Sequence, residues 1–568
     1  MRLDEIFENQ KSAGNSSKKK TAKSTHGMAA SAVREATDVG TKILEQDGNA
    51  VDAVIAMQFA LAVVEGMNTG IAAGGFISIY DAKSGETKIV NGHSIAPEAV
   101  RPTLFIDEDG EVEDYDTRTM DPKSVGVPGI LRALEVSHEK YGSLPMRDLI
   151  EPAIELAENG FRVNSLWERT LELFQDRLGE EAKKKFMPGG KLLVEGDHLK
   201  QPELAKTLRI LRDEGISAVY EGEIADAIVK TIEEHGGLIT KEDLKNYKSL
   251  VDDPLWGTYK GFDLALTNPP NGGGFAVGQM LKIAEQIDIA KYRPDSWEKY
   301  HLLAETMRLT LKDMHEHIED PRFDKIPLHG LLDDEYIKER SSLISLDKRI
   351  EKVEEGNPWL YQDEQQPIQQ TMETNESGME TTHFTAVDKW GNVAACTSSI
   401  ERIYGSGILV PGYGFLLNND LTDFNPEPDA KNNPDSWKFA VSAKSPTIMF
   451  HEGKPFFTLG SPGAKTIVAS VLQVIINVID YKMDLKKAIS EPRIYVTPDD
   501  EKEWEDGLPE DVLKKFEELG YSIDQGFREQ TADDRIGDVQ AILINSETGE
   551  LYGAADSPRP GKAEGPTE

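Results

Sequence analysis

Thr381 is the residue of this sequence best placed to do chemistry. It opens the run Thr381-Thr-His-Phe-Thr385, directly behind residues 361–380, a polar stretch almost free of core residues that reads as a mobile linker. A threonine hydroxyl is a weak nucleophile, and no usual histidine–aspartate pair stands near it in the chain. One physical solution is to make the threonine a chain terminus, so that the freed α-amine serves as its base. Such an amine titrates at about 7.7–8.0 and accepts a proton at neutral to mildly alkaline pH. The pattern needs a Thr, Ser or Cys at the head of a strand behind a removable segment. A cut between Glu380 and Thr381 would satisfy it. Taken alone, the same pattern also describes an ordinary threonine-rich strand after a linker.

The elements around it must hold that threonine. Ser31 to Gln46 and Ala50 to Glu65 read as two helices around the break Gln46-Asp47-Gly48-Asn49, the second apolar enough to be buried. Ile77 to Tyr80 and Lys88 to Asn91 read as strands. From Val127 to Glu355 the pattern is mainly helical, and Asn268-Pro-Pro-Asn-Gly-Gly-Gly274 is a loop opening a helix near Phe275. After the linker the character changes. Short strands are expected at Phe384 to Val387, Val393 to Thr397, Ile408 to Val410, Phe415 to Leu417, Thr447 to Phe450 and Phe456 to Leu459. An apolar helix is expected at Ala464 to Ile479, and a closing hairpin at Gln540 to Asn545 and Leu551 to Ala554. Helices first and strands last suggest sheets covered by helices.

Composition narrows the chemistry. Over 568 residues the net charge is −37, so nucleic acid and anionic membrane are set aside as partners. The single cysteine, Cys396, rules out an intrachain disulfide and reads as a packed core thiol. The best candidate for a membrane span, Ala50 to Met67, is broken by Asp52, Gln58 and Glu65. Met1 to Lys23 is polar, with a basic run at Lys18-Lys19-Lys20 and no apolar stretch behind it. Residues 1–26 are therefore expected to be a solvated tail, and the protein to be cytoplasmic.

Beyond these local readings, Thr381-Thr-His-Phe-Thr-Ala-Val-Asp-Lys-Trp-Gly-Asn-Val393 closely resembles the processing site of the γ-glutamyltransferase family. So do Gly48-Asn-Ala-Val-Asp-Ala53, Gly70 to Phe76, Ser124-Val-Gly-Val-Pro-Gly129, Gly460-Ser-Pro-Gly463, Gly537-Asp-Val-Gln-Ala541 and Gly553-Ala-Ala-Asp556, in the family's order from about Gly27 to Gly565. The resemblance implies an α+β fold, the four-layer αββα sandwich of N-terminal nucleophile hydrolases. It also implies a precursor that cuts itself into a large chain, 27–380, and a small chain, 381–568, which stay together as one unit. No metal or organic cofactor is implied.

The resemblance places Thr381 on the nucleophile and Ser399 on a hydroxyl residue, usually Thr, that hydrogen-bonds it. Glu401 and Asp423 fall on residues that hold the substrate's α-amino group, and Asp420 falls where the family has Gln or Glu. Gly463 and Ala464 match the pair whose amides form the oxyanion hole, the second being normally Gly. Three departures stand out. His93, in His93-Ser-Ile-Ala-Pro97, replaces an arginine that grips the α-carboxylate. Ser442 is followed by Ala443 where the family pairs two serines. The run from Asp423 to Ser442 is short for a lid. Glutathione-like γ-glutamyl donors are the expected substrates, with poly-γ-glutamate or glutaryl (cephalosporin-type) amides as the alternative; a non-catalytic binding relative is the second alternative. A neutral histidine cannot make the bidentate arginine contact, so a high KM for small donors is expected, with Arg402 as a possible substitute cation and His93→Arg as the change that restores affinity.

Overall fold

A computed structural model describes residues 3–12, 20–362, 380–521 and 535–567; most of the 361–380 linker thus lies outside the described residues. Fourteen strands make two seven-stranded antiparallel sheets. In chain order they are β1 (Thr21–Ser24), β2 (Gly27–Ser31), β3 (Gly74–Asp81), β4 (Glu86–Gly92), β5 (Leu250–Asp252), β6 (Leu255–Tyr259), β7 (Phe262–Leu266), β8 (Thr382–Asp388), β9 (Val393–Ser399), β10 (Thr447–His451), β11 (Lys454–Gly460), β12 (Gln540–Ile544), β13 (Leu551–Ala555) and β14 (Lys562–Glu564). One sheet runs β1-β13-β12-β11-β10-β7-β6, the other β14-β2-β8-β9-β3-β4-β5. Each sheet mixes strands from both sides of the Glu380–Thr381 bond, so neither segment supplies a complete sheet.

The sheets face each other across an apolar layer that includes Met28, Val387, Val393, Ile448 and Ile542. Helices α1 (Leu3–Ser12), α2 (Arg34–Glu45), α3 (Ala50–Val64), α4 (Gly273–Gln286), α5 (Trp297–His317) and α6 (Ile467–Ile479) include the main outer elements. Residues of α2 and α3 share a core with Phe384, Ala394 and Cys396 of the second sheet. Residues of α4, α5 and α6 share another with Met449, Phe457 and Leu543 of the first. The order of layers is helix, sheet, sheet, helix.

Local chemistry explains the central pieces. Asn49 caps α3 in a reciprocal capping box with Asp52, and every residue of α3 is buried, as its unbroken apolar run requires. The β8–β9 hairpin turns at Gly391, at a φ of 89°. Asp388 Oδ1 accepts the amides of Trp390 and Asn392 at 2.9 and 3.0 Å, and Oδ2 accepts that of Ala50 at 2.9 Å. One carboxylate thus closes the hairpin and ties it to the start of α3. Cys396 is fully buried, and burial raises its thiol pKa well above the usual range.

Two expectations are corrected and a third is extended. The N-terminal segment is not wholly a tail. Ile6 and Phe7 of α1 are buried, with Phe7 against Phe456 and Tyr552, because Leu3, Ile6, Phe7 and Gln10 recur on one helical face; β1 then joins a sheet edge, and Lys20 donates to the carbonyls of Asp556 and Arg559 at 2.7 and 2.5 Å. Residues 408–410 and 415–417 form no strands, only isolated bridges, Leu409 to Leu416 and Leu417 to Ala72. The span from 127 to 355, read as mainly helical, also contains β5 to β7, whose short polar-interrupted runs carry weak alternation.

Candidate active site

The β8–β9 register explains why residues 18 apart in sequence meet. Thr382 pairs with Ser398, which sets Thr381 opposite Ser399 at the open end of the hairpin. Thr381 Oγ1 donates to Ser399 Oγ at 3.4 Å, and Ser399 Oγ donates to the Glu380 carbonyl at 2.6 Å. The Glu401 amide donates to the same Oγ at 2.8 Å. One donor and two lone pairs are then all used. The hydroxyl of Ser399 therefore contacts both the threonine oxygen and the carbonyl of the peptide bond before it.

Arg559 locks the other side. Its Nη1 donates to the Thr381 carbonyl at 2.5 Å and to Glu65 Oε1 at 2.9 Å, and its Nη2 lies 3.5 Å from Glu380 Oε2. All three charged side chains are buried, and such a group is stable only when its partners are in place. His383 is not placed as a base: burial lowers its pKa to about 3, and Nδ1 shares a 2.8 Å hydrogen bond with Thr397 Oγ1. Its ring fills the space that a side chain at Gly460 would need, a Cβ there falling 2.3 Å from it.

Thr381 opens on a cavity of about 190 Å³, whose lining includes Glu401, Asp423, Ser442, Lys444 and Ala464. The short run after Asp423 makes one of its walls through Asn425, Lys431 and Asn432. The segment Gly460-Ser-Pro-Gly463 leads into a helical turn at Ala464–Thr466 and then α6. Gly463 has a φ of 122°, and Ala464 is left-handed at 46°, a conformation more natural to glycine. Among the described residues the amides of Gly463 and Ala464 donate to no protein acceptor, which leaves them available to a developing oxyanion.

The carboxylates crowd together. Glu401 sits at a φ of 77° and keeps Oε1 buried without a hydrogen-bond partner. Asp423 is pushed well above the usual carboxylate range by burial and then by the charge of Glu401. Asp420 stands behind the lining, hydrogen-bonded to Ser94 Oγ. Burial raises its pKa to about 7, although Lys444 pulls the other way. Asn418 and Asn419 clamp this loop: Asn418 Nδ2 donates to the carbonyls of Ala72 and Gly126, and Asn419 Oδ1 accepts the Arg402 amide.

Two expected residues lie elsewhere. His93 is fully buried and is not in the cavity wall. Its ring packs 5.6 Å from Phe76, Nε2 lies 3.9 Å from Asp423 Oδ2, and burial followed by the charge of Lys444 holds its pKa well below the ordinary value. Arg402 stacks over Tyr115 at 5.7 Å, also outside the lining. Sequence reasoning missed Lys444, Arg559 and Glu65. Lys444 directly follows the Ser442–Ala443 pair, and its charge was the available signal.

A sandwich of two sheets between helical layers, with Thr381 at the head of a central strand, defines an enzyme scaffold of the N-terminal nucleophile hydrolase type. The chain belongs to the γ-glutamyltranspeptidase family, whose model matches residues 36–565. It is 43% identical over 541 residues to a glutathione hydrolase proenzyme of Bacillus subtilis (strain 168), covering 95% of this chain and 91% of that one. It is 32% identical to the acylase ACY 1 proenzyme of Pseudomonas sp. (strain SE83), covering 94% and 93%. The crystal structure of a cephalosporin acylase from Bacillus halodurans shares the fold at a TM-score of 0.82, with 24% identity, covering 96% of this chain and 97% of the other. Relatives described as proenzymes match a precursor that is cut into chains. Among the described residues no helix is long and apolar enough to cross a membrane.

Proposed function

We propose that this protein is a self-cleaving threonine amidohydrolase and acyltransferase acting on glutathione-like γ-glutamyl amides. The observation that carries the reading is the triangle of Thr381 Oγ1, Ser399 Oγ and the Glu380 carbonyl at the mouth of a charged cavity. In the first step Thr381 Oγ attacks the Glu380 carbonyl carbon. The peptide C–N bond breaks, the threonine nitrogen takes the proton, and an ester forms. Water then hydrolyses the ester, leaving a carboxylate on Glu380 and a free amine on Thr381.

In turnover that amine takes the proton of Thr381 Oγ as it attacks the donor's γ-carbonyl. The Gly463 and Ala464 amides supply hydrogen bonds to the oxyanion. The proton passes to the leaving amine, and the acyl group stays on Thr381 until water or an acceptor amine removes it. Glu401 and Asp423 are suited to an ammonium group on the donor, since a charge-assisted hydrogen bond is roughly twice as strong as a neutral one.

The test is a denaturing gel with N-terminal sequencing of the products, followed by a donor panel of γ-glutamyl, glutaryl and polyglutamyl amides. Two chains, the smaller beginning at Thr381, with γ-glutamyl amides preferred, are the expected result. One uncut, inactive chain would overturn the reading, and preference for glutaryl or polyglutamyl amides would reassign the substrate.

A further inference from the structure

Lys444 is almost completely buried, yet it borders the same cavity as Thr381. Its Nζ has one hydrogen-bond acceptor, Ser442 Oγ at 3.3 Å, and one looser charge contact, Glu401 Oε2 at 3.9 Å. Three ammonium protons are therefore served by one protein acceptor within hydrogen-bond range. A buried ammonium in that state is costly unless something else completes its shell.

The residue is not loosely placed. Asn271 Nδ2 donates to the Lys444 carbonyl at 2.8 Å, and Thr267 Oγ1 reaches the same oxygen at 3.3 Å. The Gly272 and Gly273 amides donate to the Ser442 carbonyl at 2.9 and 3.1 Å. Gly273 must be glycine for this approach, because a Cβ there would fall 2.4 Å from the Ala443 carbonyl. The loop opening α4 thus exists, in part, to fix the Ser442–Lys444 backbone at the cavity wall.

Beside Lys444, Glu401, whose Oε2 makes that 3.9 Å contact and whose charge crowds Asp423, keeps Oε1 buried with no hydrogen-bond partner. An ammonium and a carboxylate that are only loosely paired, each with hydrogen-bonding capacity to spare, therefore share one small cavity with the nucleophile. That arrangement complements a ligand end carrying both charges in the opposite sense.

We propose that Lys444, backed by Ser442, is the carboxylate anchor of this pocket and determines its preference for acyl donors that carry a carboxylate beside their ammonium group. The inference rests on the acyl-transfer reading for its substrate and assigns the specificity to a residue that neither His93 nor Arg402 can replace from where they lie. It is a binding role, so it is testable apart from the chemistry.

Calorimetric titration of the purified protein with L-glutamate, 4-aminobutanoate and glutarate separates the two charges. The second ligand lacks the α-carboxylate and the third the amine. L-glutamate is expected to bind about ten- to a hundredfold more tightly than 4-aminobutanoate, the range of a lost charged hydrogen bond. Lys444→Met should erase that ratio and Lys444→Arg should keep part of it. Glu401→Gln should instead reduce the ratio of L-glutamate to glutarate. Circular dichroism of each variant checks that it is folded. If folded Lys444→Met retains the native ratio, or loses all three ligands alike, the assignment is wrong. Self-cleavage and hydrolysis of γ-glutamyl-4-nitroanilide are read in parallel. A protein that fails both but keeps Lys444-dependent glutamate binding refutes the enzymatic reading and leaves the anchor standing.

Discussion

Ser399 Oγ donates to the Glu380 carbonyl at 2.6 Å while accepting from Thr381 Oγ1 at 3.4 Å. In the proposed cleavage this hydroxyl polarises the bond to be cut and aims the oxygen that cuts it. Ser399→Ala should therefore slow self-cleavage, by about the 10²–10³-fold that loss of one oxyanion-type donor costs. Ser399→Thr should restore much of it, and Thr381→Ala should remain one chain. Gel densitometry after synthesis measures all three. Native-rate cleavage of Ser399→Ala would remove Ser399 from the step.

The freed amine of Thr381 is the base in the proposed turnover. Activity of the cleaved protein should rise with pH through about 7 to 9, the range of a terminal amine. Hydrolysis measured across that window, with the chemical step shown to limit the rate, checks it. A flat profile points to a different base.

Asp420 has a pKa of about 7 against an ordinary 3.8. Between those values the folded protein holds a proton that the unfolded chain has lost, so this group lowers stability as pH rises through the window. Asp420→Asn keeps an acceptor for Ser94 and removes the titration. It should raise Tm relative to the native protein at pH 8, by at most about 4 kcal/mol in stability at about 1.4 kcal/mol per pH unit. The gain should shrink towards pH 4. An equal difference at both pH values would show that titration of Asp420 is not its source.

Ala464 pays for a left-handed φ of 46°, which costs a residue with a Cβ about 1 kcal/mol. Ala464→Gly should stabilise the protein by about that amount in denaturant titration and keep the backbone amide. Loss of stability would mean that the Ala464 methyl group packs better than its backbone suffers.

His93→Arg, read from sequence, should lower KM; the burial of His93 favours the opposite outcome. The site is fully buried against Phe76, and Asp423 Oδ2 is 3.9 Å from the ring. A larger cation there overpacks the buried site behind the wall, at a cost of about 1–3 kcal/mol, and competes with the donor ammonium for Asp423. KM for γ-glutamyl donors should rise or hold, measured beside the melting temperature. A tenfold drop in KM would restore position 93 as the anchor.

What the sequence determined by itself is mostly local. Asp388, Gly391 and Asn392 specify a tight turn, and the alternation on either side specifies the hairpin that sets Thr381 against Ser399. Asn49 and Asp52 mark the start of α3, and its unbroken apolar run marks its burial. The motifs around Thr381, Asp423 and Gly463 were legible because each is a continuous run whose backbone does the positioning. The tertiary structure alone decided which side chains share the cavity. Lys444 and Glu401 are separated by a long stretch of chain, and His93 by far more, and no local rule says that the first two line a wall while the third sits behind it. That outcome depends on how α4, the loop at Gly272–Gly273 and the Asn418–Asp423 turn pack on the sheets. The same holds for Arg559, which reaches Thr381, Glu380 and Glu65 only because the segment between β13 and β14 folds back against the start of β8. Charge type is written in the sequence; whether a charge is solvated, paired or left facing a substrate is set by burial, and burial is a property of the packed whole.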